Sequence, residues 1–401
     1  MAKIVLYTNT ISPHQLPLSR EIVARVGEEN FRYIYTEKTD KAHGGLGWKL
    51  DETKWCMHSS DVAANEWLES ADVVLSGVRC FDLFRRRAER GLKNFYMTER
   101  WFKPPLGIGR LFHPRYFWYA RTLCRMLESG VVVGLPIGIH AACDMARLCG
   151  LMHGDVRRLF SPPKLKFEKK PCGEIYSTTT TFDEATAVKK NAKDTKKCCL
   201  DKMRMWGYFV ESRNCESEME KETGGGICRT SDDATAIIRV LWVGRFLNWK
   251  RVDTIIQAVG ECRNMRSINK SLPEVTLDVY GTGPEEIRLK KDSAKFGDCI
   301  RFHPPVPMAE VRELMHTHDV YVLASDGHEG WGAVASEALE EGMSMIGTYE
   351  AGSSATILPE CNLFHAGDWR SLVGILTHHI PYCTIGYWTA KKAAQVLLGD
   401  M

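Results

Sequence analysis

The sequence predicts an α/β protein with two domains, each built on a parallel sheet, that face a common cleft. The chain has 401 residues and a mass of 45.4 kDa, which exceeds what one ordinary hydrophobic core holds. In both halves, apolar runs with strand character alternate with helical patterns, as in the βα units of a parallel sheet. Residues 211–236 combine charge runs with three consecutive glycines, and we interpret them as the linker.

Five apolar runs in the second half predict buried parallel strands, because strands covered on both faces are apolar throughout. They lie at 237–244, 275–281, 300–306, 320–325 and 344–350. A helical pattern follows each run, so we assign residues 237–380 to a C-terminal domain. The first half, residues 1–210, repeats the rhythm, with a helix at 19–27 and another within 134–150. Its predicted strands lie at 3–9, 31–36, 71–77 and 94–99.

Composition and charge are those of a soluble globular protein. Apolar residues make up 44% of the chain and charged residues 26%, and the formal net charge is +3. No apolar window of about 18 residues or more is present, so no transmembrane helix is predicted. The N-terminus has the pattern of a first strand and lacks the apolar core and cleavage site of a signal peptide. We therefore expect a cytoplasmic protein.

Positive charge is concentrated between Arg79 and Arg125. This segment holds twelve Lys and Arg residues against Asp82, Glu89 and Glu99, and aromatic clusters are interleaved with them. Such a surface suits an anionic partner. We interpret it as peripheral contact with anionic lipids at the inner face of the membrane, and we expect no nucleic acid partner. The alternative is a solvated basic face beside an aromatic core.

Loops that follow predicted strands of the C-terminal domain carry groups suited to phosphate. After the first strand, Arg245 and Lys250 would neutralise a diphosphate. After the second, Gly281 and Gly283 would let the backbone approach a ligand. No third glycine completes a dinucleotide fingerprint, so NAD is disfavoured. Each loop alone is equally well a solvated turn, but ligands of open α/β sheets bind at this edge, and the coincidence favours a site.

The stretch HEGWGAVASE, residues 328–337, places Glu329 and Glu337 on either side of a predicted helix N-terminus. Helix N-termini attract phosphate, so the two carboxylates would bracket a pyrophosphate, one contacting sugar hydroxyls and the other the ribose. The alternative for Glu337 is an ordinary helix glutamate. The remaining candidates for donor binding, here and after the next strand, are Gly330, Trp331, Gly332, Gly352, Ser353 and Ser354.

These motifs, from GRFLNWKR through YGTGPEE and HEGWGAVASEALEEGM to AGSSATIL, resemble the C-terminal domain of retaining glycosyltransferases of the GT-B fold, in particular family 4. The resemblance covers residues 237–380 and implies two Rossmann-like domains facing a cleft. It also implies that Glu329 contacts donor-sugar hydroxyls, Glu337 binds the ribose, and Arg245 with Lys250 holds the diphosphate. Two departures are a Trp between the glycines where Phe is usual, and a later turn without the common Gly-Gly and acidic residue.

The resemblance further implies transfer of a sugar from a UDP- or GDP-linked donor to an acceptor hydroxyl with retention. No metal or other cofactor is expected, since Arg245, Lys250 and helix-terminal amides would stabilise the departing diphosphate, and no Asp-x-Asp motif is present. The departing phosphate would help take the acceptor proton, so no protein base is expected. The expected acceptor is a glycan or lipid-linked glycan of bacterial capsule or lipopolysaccharide assembly. It would bind the N-terminal domain, on which a C-terminal helix at 381–401 would pack. The rival functions are a GT-B nucleotide-sugar epimerase and a non-catalytic nucleotide-sugar or polyanion binder.

Three residues of the N-terminal half are candidates for the acceptor side of the cleft. They are His14, Glu99 and Arg100, which follow predicted strands. His14 would otherwise cap a turn, and Glu99 and Arg100 would otherwise form a structural pair. His140 lies on a predicted helix and is more readily structural.

Overall fold

The fold consists of two α/β units, each with a six-stranded parallel sheet. The computed structural model describes residues 1–37, 54–152, 203–210, 237–378 and 389–399. The units are Met1–Phe209 with Trp388–Met401, and Val210–Tyr387. The predicted linker at 211–236 lies outside the described residues. Residues 381–388, the first part of the expected C-terminal helix, also lie outside them.

The first unit contains strands β1 to β6 in the order β3-β2-β1-β4-β5-β6. The strands are Ile4–Thr8, Phe31–Tyr35, Cys56–His58, Val73–Ser76, Lys93–Thr98 and Val133–Pro136. Helices α1 to α5 and the C-terminal α12 are Leu16–Val26, Val62–Ser70, Phe81–Glu89, Pro114–Ser129, Ile139–Met152 and Ala390–Gly399. Helix α12 packs against α1, where Arg25 donates to the Lys391 carbonyl at 3.4 Å.

The second unit contains strands β7 to β12 in the order β12-β11-β10-β7-β8-β9. The strands are Ile237–Arg245, Glu274–Thr282, Ile300–His303, Val320–Leu323, Ser344–Thr348 and Leu363–Phe364. Helices α6 to α11 are Val252–Ile268, Glu286–Ser293, Met308–Thr317, Val334–Glu340, Gly352–Ile357 and Trp369–Leu376. In both units the first and fourth strands are neighbours at the centre of the sheet, so both follow the doubly wound order.

Burial explains the apolar runs. Every residue of β4 and β10 is buried, because each is a central strand covered on both faces. The predicted strand at 300–306 ends earlier, at His303, since Pro304 and Pro305 have no N–H to donate to a ladder. The short strands β3 and β6 were not predicted, because three or four residues give too little periodicity.

The basic segment 79–125 is not one surface, which corrects the interpretation of the whole run. Arg87 is fully buried in α3 and takes no part in any surface. Its guanidinium donates to the carbonyls of Leu68 and Ala71 at 2.7 Å each and to the Asn94 side chain at 2.8 Å. Burial lowers the pKa of Arg87 to about 10. This cation therefore ties α2 and β5 to α3.

No helix within the described residues is long and apolar enough to span a bilayer.

Candidate active site

The loops after β7 and β10 lie side by side at the carboxyl edge of the second sheet, because these two strands are neighbours there. This is the position where chain direction across the sheet reverses and where doubly wound sheets bind ligands. The two loops bring together two of the sequence-predicted residues, since the Lys250 ammonium forms an ion pair with Glu329 Oε2. The same oxygen accepts a hydrogen bond from the Ser325 hydroxyl at 3.0 Å. Sequence reasoning missed Ser325, although it ends the apolar run of β10.

Lys250 is held in place by its own loop. It ends a short 3-10 helix, Asn248–Lys250, and its ammonium lies 4.6 Å from the centroid of the Trp249 ring. The Asp326 N–H donates to the Trp249 carbonyl at 2.9 Å, which ties the β7 loop to the β10 loop. The two loops that carry the ion pair are thus joined by a backbone hydrogen bond, and such preorganisation is what a charge-stabilising site needs.

Arg245 ends β7 and is exposed. Among the residues that the structure describes, no carboxylate lies within ion-pair distance of its guanidinium. The edge therefore presents one cation paired with a carboxylate and one without a counter-charge. An anion arriving at this edge would meet the second directly.

The Gly-Trp-Gly step packs into the protein. The Trp331 side chain is buried, and its indole N–H donates to the Ser336 hydroxyl at 3.0 Å. A Cβ at residue 352 would lie 2.0 Å from the Gly330 carbonyl oxygen, so Gly352 is required for the contact between these two loops. The Ser353 N–H donates to the Trp331 carbonyl at 3.0 Å. The loops after β10 and β11 are therefore in direct backbone contact. Gly332, with φ 82°, lies just before α9.

Glu337 lies in α9 and is buried, with 7% of its surface exposed. Its carboxylate has no hydrogen-bond donor among the described residues. Burial raises the pKa of Glu337 to about 7, a shift that Arg312 opposes and Glu341 reinforces. A buried carboxylate without a donor is costly, and a ligand hydroxyl would satisfy it. This observation favours the ligand-binding role of Glu337 over that of an ordinary helix glutamate.

Several predicted donor-binding groups already have partners within the protein. A Cβ at residue 281 would lie 1.9 Å from the Gly244 carbonyl oxygen, and one at residue 283 would lie 2.6 Å from the Phe246 oxygen. Close packing of the β7 and β8 ends therefore suffices to explain Gly281 and Gly283. The Ser354 hydroxyl donates to the Thr348 carbonyl at 2.8 Å. The contacts of these groups with a donor stay predictions.

Two of the N-terminal candidates, Glu99 and Arg100, line a different feature, a pocket of the first unit. Glu99 forms an ion pair with Lys103 and accepts a hydrogen bond from the Tyr208 hydroxyl at 2.6 Å. Burial alone would raise the pKa of Glu99, but these two partners bring it below its usual value. Arg100 instead lies 3.8 Å from Asp144, so Glu99 and Arg100 take separate partners. No signal in the sequence pointed to Tyr208.

The His14 ring lies 5.8 Å from the Tyr208 ring, centroid to centroid. Burial lowers the pKa of His14 to about 4, so its imidazole is neutral near pH 7. His140 is the second residue of α5. The described residues contain no cluster of three or more His, Cys, Asp and Glu side chains that could hold a metal ion.

Comparison with known proteins bears on the second unit. Residues 235–376 match the family described as Glycosyl transferases group 1. The match covers most of the described second unit and includes Arg245, Lys250, Glu329 and Glu337. A segment of 110 residues is 31% identical to the GtfA subunit of UDP-N-acetylglucosamine–peptide N-acetylglucosaminyltransferase from Streptococcus pneumoniae serotype 4. The matched segment is 27% of this chain, and the chain spans only 20% of that relative.

Solved glycosyltransferases share the fold. The lipopolysaccharide outer core galactosyltransferase WaaB, in its apo form, aligns over 100% of both chains with a TM-score of 0.55 and 14% identity. Anabaena Alr3699/HepE in complex with UDP aligns over 99% of this chain and 95% of its own, with a TM-score of 0.50 and 12% identity. The predicted GT-B fold is confirmed.

Proposed function

We propose that the chain transfers a sugar from a UDP-sugar to an acceptor hydroxyl with retention at the anomeric carbon. The observation that carries this proposal is the Lys250–Glu329 ion pair, which lies between the two central loops of a glycosyl transferase domain. A cation and a carboxylate there match a donor whose diphosphate is anionic and whose sugar offers hydroxyls. The choice of UDP over GDP is supported by the GtfA relative, whose name includes UDP-N-acetylglucosamine.

In the proposed reaction, the bond between the sugar's anomeric carbon and the β-phosphate oxygen breaks. The acceptor oxygen bonds to the same face of that carbon, and its proton passes to the departing phosphate. Negative charge grows on the diphosphate during this step, so Lys250 and Arg245 would stabilise the transition state more than the bound donor. Glu337 would accept a hydrogen bond from a ribose hydroxyl and Glu329 one from the sugar.

The test is transfer from UDP-N-acetylglucosamine, followed by NMR, with GDP-mannose as the comparison donor. An α-linked product from the α-linked donor would support retention, and a β-linked product would overturn it. Release of UDP with an epimerised sugar and no acceptor would favour the epimerase. Binding of the donor without turnover against glycan, lipid-linked glycan and peptide acceptor pools would favour the non-catalytic binder.

Peripheral membrane contact is the second part of the proposal. Exposed apolar side chains cluster around the start of α4, with Leu106 66%, Phe112 91% and Trp118 52% exposed. Arg121 and Arg125 are exposed on the same helix, and neither has a carboxylate partner among the described residues. Aromatic side chains with unpaired arginines suit the interface of an anionic bilayer, where a lipid-linked glycan would be presented.

This surface is tested by sedimentation with vesicles containing phosphatidylglycerol at low salt. The wild-type chain should sediment, and a Phe112→Ser/Trp118→Ser variant should remain in the supernatant because the inserted apolar area is lost. A matched Ile268→Ser/Ile287→Ser variant removes two exposed apolar residues of the second unit and should still sediment. Equal sedimentation of the two variants would remove the membrane surface from the proposal and leave the transferase intact.

A further inference from the structure

A polar pocket of about 760 Å³ opens at the carboxyl edge of the first unit's sheet. The loops after β1, β4, β5 and β6 line it, so it occupies the same topological position in this sheet as the candidate active site does in the other. A pocket of this volume holds a ligand the size of one or two sugar rings. The residues that line the pocket indicate which class of ligand it would bind.

Two arginines of the lining lack a counter-charge. The guanidinium carbons of Arg79 and Arg110 lie 5.6 Å and 5.9 Å from the centroid of the same Tyr116 ring. No carboxylate lies within ion-pair distance of either one among the residues that the structure describes. Two cations held on one ring repel each other, and an anion between them would relieve that repulsion.

Two arginines, one in α3 and one at its C-terminal end, behave differently. Arg85 forms an ion pair with Asp82 at 3.0 Å, and Arg90 pairs with Glu69 at 2.5 Å. Carboxylates thus neutralise these two cations.

In the pocket lining, Arg100 and Lys103 are also paired with carboxylates, while Arg79 and Arg110 are not, within the described part of the chain. Arg121 and Arg125 of α4 also lack a carboxylate partner among the described residues, but only Arg79 and Arg110 of these four line the pocket, where they share one aromatic ring.

A third lining residue points to a hydroxyl-bearing ligand. Gln15 is 4% exposed, and its side-chain oxygen accepts no hydrogen bond from the described part of the chain. A buried amide oxygen without a donor costs free energy, which a ligand hydroxyl would recover. The pocket therefore combines an unneutralised pair of guanidinium groups with an unsatisfied acceptor.

We propose that this pocket binds a phosphorylated sugar, with the phosphate at Arg79 and Arg110 and a sugar hydroxyl at Gln15. A phosphate carries a charge of about −1.5 to −2 at neutral pH, which two guanidinium groups match with charge-assisted hydrogen bonds. That the phosphorylated sugar is the acceptor of the reaction rests on the proposed function. A soluble sugar phosphate and a lipid-linked sugar diphosphate share this chemistry.

The first test is calorimetric titration of the full chain with inorganic pyrophosphate in the presence of excess UDP, which would occupy the second unit. The wild-type chain should bind pyrophosphate. Arg79→Gln/Arg110→Gln should bind it at least about tenfold more weakly, because two charge-assisted contacts are lost. The matched Arg85→Gln/Arg90→Gln variant removes the same charge and should bind as wild type. Equal binding by both double variants, or no binding by wild type, would overturn the site.

Sugar recognition is tested with glucose 6-phosphate and with glucose. Gln15→Leu should weaken binding of the sugar phosphate and leave pyrophosphate unchanged, and an equal loss of both would contradict the role of Gln15. Farnesyl diphosphate, used below its micelle concentration, separates the two sources: tighter binding than glucose 6-phosphate points to a lipid-linked ligand, and weaker binding to a soluble one. Either result is compatible with the site.

Failure of the proposed function would be recognised separately. If UDP does not bind, the transferase proposal fails, while the difference between the two arginine double variants still reports on the first unit. If transfer is observed, Arg79→Gln/Arg110→Gln should raise the KM for a phosphorylated acceptor and leave the KM for the UDP-sugar unchanged. A change in the donor KM alone would contradict assignment of the pocket to the acceptor.

Discussion

The two sheets have the same strand order, and the residues at their carboxyl edges carry different arrangements of charge. In the second unit, the central loops hold a lysine paired with Glu329, close in sequence to a buried, donor-less Glu337. In the first unit, the corresponding edge holds Arg79 and Arg110 on an aromatic ring without a counter-charge. Topology decides where a doubly wound sheet binds its ligand, and the loops decide what is bound.

The largest expected effect concerns the second unit. Lys250→Ala should lower kcat for transfer by about 10²–10³, because it removes a preorganised cation and leaves Glu329 without its partner. Initial rates with UDP-N-acetylglucosamine check this. Arg239→Ala, at the opposite end of the strand that carries Arg245, is the matched control and should keep wild-type rates. Wild-type turnover by a folded Lys250→Ala protein would remove the site from the second unit.

The next effect separates structural from functional cations in the first unit. Arg87→Met should lower the free energy of unfolding by about 3–5 kcal/mol, because buried carbonyl groups lose their donors and the aliphatic chain satisfies none of them. Arg85→Ala, two residues earlier, loses only an exposed ion pair and should change it by less than about 1 kcal/mol. Urea denaturation followed by circular dichroism measures both. Equal stabilities would mean that α3 does not depend on its buried cation.

A third substitution distinguishes a role of Gly281 in the stability of the fold from a role in binding the donor. Gly281→Ala should cost about 2–3 kcal/mol of unfolding free energy, because its Cβ would meet the Gly244 carbonyl at 1.9 Å and its φ is 146°. Gly374→Ala, in helix α11 with open space around it, should be neutral or stabilising by up to about 1 kcal/mol. Thermal unfolding compares the two. A Gly281→Ala protein of normal stability that no longer binds UDP would instead assign this glycine to the ligand.

The smallest effect is a pH dependence at Glu337. If the ionised carboxylate accepts a ribose hydroxyl, the affinity for UDP-N-acetylglucosamine should fall about tenfold from pH 8 to pH 6, because the carboxyl protonates near its raised pKa of about 7. Glu337→Gln should bind weakly with no such slope. Calorimetry at several pH values measures this, and a flat wild-type profile would contradict the ribose contact.

The stability of the ligand-free protein should change with pH in the direction opposite to the donor affinity. The pKa of Glu337 is raised in the folded state above 4.5, so the stabilisation that this carboxyl gives is present at low pH and is lost as pH rises through about 7. The wild-type melting temperature should therefore decline relative to Glu337→Gln between about pH 5 and pH 8. A constant difference would show that Glu337 is not buried as an isolated carboxyl in solution.

Local sequence was sufficient for most of the second unit's sheet. Apolar runs marked β7, β8, β10 and β11, and the loop residues Arg245, Lys250, Glu329 and Glu337 all follow strands of that sheet. The strands were predictable because a parallel strand that is buried on both faces forms a continuous apolar run in the sequence. The role of the loop residues in binding a donor stays a prediction.

Contacts between distant residues were decided only by the tertiary structure. Which of the arginines in 79–125 is buried, which is neutralised and which lines a pocket depends on partners such as Leu68 and Tyr116 from other elements. The pairing of Lys250 with Glu329 joins residues 79 positions apart, and the lone carboxylate of Glu337 is defined by what packs around it. Periodicity and turn chemistry act over a few residues, so the sequence by itself determined the long buried strands and the loops that follow them. Burial and charge balance arise from packing across the fold, and for that reason only the folded chain shows which charges remain available for a ligand.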